Sequence, residues 1–286
     1  MSNIDTTGVK GIMQNTGFLN SPACIRHPNC ANKFSKGLRL AIAAASVAWF
    51  SSLPTPVKAS VVIGGTRVIY MASEPEVTLK LSNEGRSPAL VQSWIDAGDV
   101  KSAPTTVNAP FVVTPPISRI DPGKSQTLRI VYTGEPLPHD RESVYWLDVL
   151  EVPPKPRDAA DVNRVQIAFR SRIKLFYRPE KLKGTSADAP SQIHWRLIRA
   201  AGKQTLEGHN PTQYYISLVD VTLLSGPHKA TADGGMIGPG ETHAFPLSGE
   251  EIEAAGAKVH YTTVNDYGAF VDGETPVLPS GAALLK

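Results

Sequence analysis

"RVQIAFRSRIKLFYRP", residues 164–179, is the stretch on which the reading of this chain turns. Its odd positions Val165, Ile167, Phe169, Ile173, Leu175 and Tyr177 are apolar, and only Ser171 interrupts them. The even positions include Gln166, Arg170, Arg172, Lys174 and Arg178. Apolar residues at every second position mark a β-strand with one apolar and one polar face. Strands average about 5–6 residues, and this alternation is far longer. It also carries basic residues and no acid. A long strand, apolar on one side and positive on the other, needs a purpose beyond filling one small core.

The rest of the chain points the same way. It has 286 residues, with 24 Pro and 23 Gly and only 19% charged residues. As a length, that suggests two domains. No long segment shows apolar residues at helical spacing. Short alternating runs between turn residues recur instead, the pattern of an all-β protein.

Residues 1–59 stand apart. Lys33, Lys36 and Arg39 precede the apolar run Leu40–Phe50, and "VKA" follows at 57–59. A positive segment, a short apolar run and small residues at a cleavage site make a secretory signal. The run is too short to span a bilayer as a mature helix, so no stable membrane insertion is expected after cleavage. Removing the segment's six basic residues and one acid from the 29 and 26 of the full chain leaves 23 and 25, a net charge of −2. The basic excess thus belongs to the removed part, and a nucleic-acid-binding surface is not expected. Cys24, His27 and Cys30 form C-x2-H-x2-C in the same leader, short of the four ligands of a structural zinc site. No metal or cofactor is expected, and the mature chain has no cysteine.

Strands are expected at 60–71, 76–85, 89–98, within 111–134 about the Asp121-Pro122-Gly123 turn, at 142–154 and at 164–179. That is about seven strands, the number in an immunoglobulin-like sandwich. The polar stretch 180–192 opens a second, smaller series: "IHWRLIRAAG", "TQYYISLVDVTLL", "THAFPLSG", "AKVHYTTVNDYG" and "AFVDG". The domains are therefore placed at 60–179 and 180–286. Nucleophile-elbow, zinc-protease, P-loop and C-x-x-C motifs are all missing, and the six histidines outside the leader are scattered. An enzyme is not expected.

Taken together, "RVQIAFRSRIKLFYRP", "VTPPISRIDPG" (113–123), "DRESVYWLDVLEVPP" (140–154), "NPTQYYISL" (210–218) and "VNDYG" (264–268) resemble the periplasmic chaperones of the chaperone–usher pathway of pilus assembly. The resemblance runs in order along nearly the whole mature chain. It implies two immunoglobulin-like β-sandwiches in an L-shaped molecule with a cleft between them. It also implies a periplasmic protein that binds pilus or fimbrial subunits and delivers them to an outer-membrane usher. Such a chaperone lends an edge strand to a subunit whose own fold lacks one. Strand addition combines main-chain hydrogen bonds with pockets for alternate side chains. By motif position, Val165, Ile167 and Phe169 match the donated apolar side chains. Arg67 and Lys174 match the pair that grips the subunit's terminal carboxylate. Glu142, Arg178 and Asp266 match a salt bridge that sets the angle between domains.

The loop from Lys155 to Arg164 is short, and the cysteine pair of the long-loop subgroup is absent. The resemblance is therefore to the short-loop subgroup. An exposed apolar edge strand is an aggregation hazard, so self-capping, for instance as a dimer, is a physical option for the free protein. The competing reading is a secreted structural or adhesive protein of two immunoglobulin-like domains. A fibre subunit would carry a free N-terminal donor extension, whereas residues 60–70 read as a packed first strand.

Overall fold

The run "SVVIGGTRVIYM" does not form one strand. It forms β1 (Val61–Ile63) and β2 (Arg67–Met71), which belong to different sheets. The break falls at Gly64-Gly65. A Cβ on Gly64 would stand 2.9 Å from the Lys80 carbonyl oxygen, which also accepts the Gly64 N–H at 2.8 Å. The close approach needs glycine, and the chain crosses there from one sheet to the other. The computed structural model describes residues 60–105, 108–152, 167–200 and 202–278. The leader, the short loop and Val165 lie outside the described residues.

The first domain continues with β3 (Val77–Asn83), β4 (Ala89–Asp96), β5 (Phe111–Thr114), β6 (Ile117–Ile120), β7 (Ser125–Tyr132), β8 (Ser143–Val152) and β9 (Phe169–Arg178). One sheet has the order β1-β3-β7-β5, the other β2-β9-β8-β4-β6. About seven strands were expected, and the described residues form nine, because two runs divide. The second division is at Pro115-Pro116, between β5 and β6. Proline has no N–H to continue a ladder, and β6 moves to the opposite sheet. The Asp121-Pro122-Gly123 turn then returns the chain, with Gly123 at φ 69° and the Lys124 N–H bonded to the Asp121 carbonyl at 3.0 Å. It is a corner between sheets.

The second domain begins with a short 3-10 turn, Ala189–Gln192, then β10 (His194–Ala200), β11 (Lys203–His209), β12 (Ile216–Ser225), β13 (His228–Ile237), β14 (Thr242–Pro246), β15 (Ser248–Gly249), β16 (Lys258–Val264) and β17 (Phe270–Pro276). Its sheets run β10-β11-β14 and β15-β13-β12-β16-β17. The sequence reading does not identify β11 and β13, whose alternation is diluted by polar residues and glycine. In β13 the glycine is a packing requirement. A Cβ on Gly234 would sit 2.2 Å from the Val219 carbonyl oxygen, at the register shift between Leu218 and Asp220.

Each domain buries its own core. Leu81, Leu128, Ile130, Leu147 and Leu175 centre the first, and Trp195, Leu206, Val221, Leu223 and Val259 the second. The two cores share no residue. One buried asparagine closes a turn in each. Asn83 Nδ2 donates to the Ser87 and Ile120 carbonyls at 2.8 Å. Asn210, from "NPTQYY", donates to the carbonyls of Tyr214 at 2.7 Å, Ile237 at 3.1 Å and Gly238 at 3.0 Å. Buried polar groups are satisfied in this way, and Asn210 ties the start of β12 to the end of β13.

Candidate functional site

Strand β9 has two unlike halves. Residues 174–177 pair with antiparallel β8 on one side, and 174–178 with parallel β2 on the other. There the odd parity is core, with Leu175 at 0% and Tyr177 at 5% exposure. Residues 169–173 pair only with β8, and no described strand covers their other edge. On that half Ile173 still packs partly against the core, but toward its start the same parity faces solvent, Ile167 at 60% and Phe169 at 65% exposure. The apolar alternation thus runs past the domain's own core onto an open edge. Main-chain groups on such an edge are a template for another strand.

Arg67 and Lys174 are register partners at the boundary between the halves. Both reach the second domain: Arg67 Nη1 donates to the Val264 carbonyl at 2.7 Å, and Lys174 Nζ to Ser217 Oγ at 3.0 Å. Arg67 Nε is buried with no hydrogen-bond partner. Among the described residues neither cation forms an ion pair. Burial, followed by the Arg67 charge, pushes the Lys174 ammonium down to about 8. Burial likewise lowers Arg67, with Asp266 and Glu142 opposing. Two adjoining, partly desolvated cations, neither held in a direct ion pair among the described residues, favour an anion between them. The adjoining cavity, about 210 Å³, is lined by Arg67, Phe176, Arg178, Tyr215, Ser217 and Asp266 among others.

Arg178, at the end of β9, joins Glu142 and Asp266. Its Nε donates to Glu142 Oε1 at 2.5 Å, and Nη1 and Nη2 grip the two Asp266 oxygens at 2.7 and 2.9 Å. Glu142 precedes β8, whereas Asp266 lies in the β16–β17 turn of the second domain. Glu142 also accepts the Tyr215 N–H at 2.8 Å, and Asp266 accepts from Ser186 Oγ at 2.8 Å. Burial pushes the Glu142 carboxyl up against the pull of Arg178. Burial acts on Asp266 too, but hydrogen bonds from Arg178 and Ser186 outweigh it and hold that carboxyl below its ordinary value. The guanidinium fork serves both carboxylates at once.

The structure thus brings Arg67 and Lys174 together, and Glu142, Arg178 and Asp266 together. Ile167 and Phe169 share the exposed parity of β9, and Val165 lies outside the described residues. Two acids escaped the sequence reading. Asp96 and Asp148 are buried on the polar face of the β9 sheet and bind Arg172 and Arg170. Burial pushes Asp148 up to about 6. Burial also acts on Asp96, where hydrogen bonds from Asp148, Gly98, Ser102 and Arg172 prevail and lower it. The available signal was a repeated Trp-x-Asp, "WID" at 94–96 and "WLD" at 146–148.

Comparison with known proteins shows the family of the chain. Residues 60–183 match the family described as pili and flagellar-assembly chaperone, PapD N-terminal domain, and residues 188–275 match the pili assembly chaperone PapD C-terminal domain. The probable fimbrial chaperone YadV of Escherichia coli is 44% identical over 218 residues, 75% of this chain and 89% of that protein. The chaperone protein FimB/FhaD of Bordetella pertussis is 43% identical, over 83% of this chain and 95% of its own. The crystal structure of YadV superposes with a TM-score of 0.67 at 40% identity, covering 77% of this chain and 100% of that one. The SafB chaperone of Salmonella enterica, solved in complex with the SafA pilin, gives 0.63 at 29% identity, covering 79% and 100%. A chain with both PapD domains in order, built as two β-sandwiches, belongs to the PapD family of pili assembly chaperones.

Proposed function

We propose that this protein is a periplasmic, non-enzymatic chaperone that holds pilus subunits by lending them β9 and passes them to an outer-membrane usher. The observation that carries the reading is the unpaired half of β9. It presents exposed Ile167 and Phe169 on an open main-chain edge, next to two cations that form no direct ion pair among the described residues. A subunit lacking one strand of its fold would gain main-chain hydrogen bonds from that edge and bury the two side chains. Burying such residues contributes roughly 1.5–3 kcal/mol each, before association and ordering costs are subtracted. Val165 continues the same parity and extends the donated segment.

Arg67 and Lys174 then act as the anchor for the subunit's terminal carboxylate. Charge-assisted hydrogen bonds contribute roughly 1.5–3 kcal/mol. They also fix register, since a slip of one residue would turn every apolar side chain to the wrong face. The Glu142–Arg178–Asp266 cluster holds the second domain at the angle that places Ser217 and Val264 beside the anchor. The rival reading as a fibre component finds no support in residues 60–71, which are built into both sheets of the first domain.

Co-expression with a candidate pilin subunit from the same genome tests the assignment. The expected product is a soluble one-to-one complex. Arg67→Ala or Lys174→Glu should leave the chaperone folded and abolish recovery of the subunit; full recovery with those variants would remove the anchor.

A further inference from the structure

The open half of β9 should fray. It has one neighbour instead of two, and Phe169 at its start is exposed, leaving Ile173 as its apolar contact with the core. Segments with few buried contacts open first. What opposes this lies on the polar face. Arg170 Nε donates to Asp148 Oδ1 at 2.7 Å, Nη1 to the Val100 carbonyl at 3.0 Å and Nη2 to Ser102 Oγ at 3.3 Å. Arg172 Nη2 donates to Asp96 Oδ1. The Arg170 guanidinium lies 4.8 Å from the Trp94 ring centroid, and that of Arg172 lies 4.6 Å from the Trp146 centroid.

Asp96 is itself held by further hydrogen bonds, whereas Asp148 Oδ2 is buried with no hydrogen-bond partner. Asp96 accepts the Gly98 N–H at 2.6 Å and the Ser102 hydroxyl at 2.8 Å. Asp148 is 0% and Asp96 2% exposed. Exposed ion pairs contribute little, but buried carboxylates depend on their partners, and removing one is costly. Arg170 and Arg172 both fall within residues 169–173, the half that lacks a second neighbour.

We propose that Asp96 and Asp148 are positioning residues for strand donation, gripping Arg170 and Arg172 so that residues 169–173 stay extended and in register before a subunit arrives. The inference rests on the strand-donation reading above. Ordering the donor in advance lowers the entropic cost of association, so the acids act on a partner they never touch.

The test is amide hydrogen exchange of the free protein, combined with association kinetics toward a candidate pilin subunit from the same genome, stripped of its N-terminal extension. In Asp148→Asn and in Arg170→Gln, amides of 169–173 should exchange at least about tenfold faster, as the loss of a charge-assisted bond predicts. Amides of β3 and β7 should be unchanged. The association rate should fall, and Arg170→Lys should recover part of both effects. Unchanged exchange at 169–173 would overturn the proposal, as would equal acceleration throughout the domain. If Asp148→Asn does not fold, Arg170→Gln decides, because Arg170 is partly exposed and Arg172 remains 3.6 Å from Asp148. Failure of the wild type to capture the subunit would sink strand donation itself, a result separable from the exchange data.

Discussion

Arg67 and Lys174 stand opposite each other in the parallel β2–β9 pair, at the residue where β9 loses its second neighbour. The cationic pair therefore marks the end of the domain's own sheet and the start of the edge offered outward. A carboxylate bound there would end its chain at a fixed point along β9, and everything upstream of it would lie against the open half.

This placement makes subunit binding pH-dependent. Lys174 in the free protein is lowered to about 8 from its ordinary value. Its charge is present below that value and lost above it, so affinity for the subunit should fall as pH rises through about 8. The free protein should respond in the opposite sense. Between about 8 and the ordinary lysine value the unfolded chain holds more protons, so this group adds stability as pH rises. Binding titrations and thermal melts on wild type and Lys174→Met should separate the two trends, with the variant flat in both.

Substitutions along β9 should divide at the same boundary. Phe169→Asp alters an exposed side chain and should change stability by no more than about 0.5 kcal/mol, yet it should abolish subunit capture. Leu175→Ala has the same parity but lies in the core, and should cost about 2–5 kcal/mol. Chemical denaturation and pull-down of the subunit give the two readouts. Equal behaviour of the two variants would contradict the division of the strand.

Arg178→Ala should destabilise the protein by about 3–5 kcal/mol, because it leaves Glu142 buried without its cation. Asp266→Ala leaves Glu142 paired and cuts the fork to the second domain. That variant should melt closer to wild type and show a changed small-angle scattering profile. An unaltered profile would argue against the cluster as the determinant of domain angle.

Asn210→Ala should cost more than an ordinary side-chain truncation. It removes the donor to the carbonyls of Tyr214, Ile237 and Gly238 in a fully buried site. Each unsatisfied buried group costs about 1–3 kcal/mol. Thermal unfolding should show the loss, and exchange should rise at the start of β12.

Much of this was legible in the sequence, because period-2 alternation is a local property and each run announces its own strand. The turn at Asp121-Pro122-Gly123 and the motifs that carry the family resemblance are also local. Arg67, Lys174, Glu142, Arg178 and Asp266 could be named, but only by matching motifs. Nothing within several residues of Arg67 hints that it faces Lys174.

What the sequence alone determined is the class of the protein: all-β, in two domains, with a strand too long for one small core. Tertiary structure decided where that strand stops being core. The odd parity of β9 is buried at Leu175, where β2 pairs with it, and exposed at Phe169, beyond the end of that pairing at Arg67. Tertiary structure also decided which acids answer Arg170 and Arg172, and turned two continuous alternating runs into strands of opposite sheets. Such contacts join residues far apart in the chain, and alternation along a strand carries no information about which neighbour will lie across it.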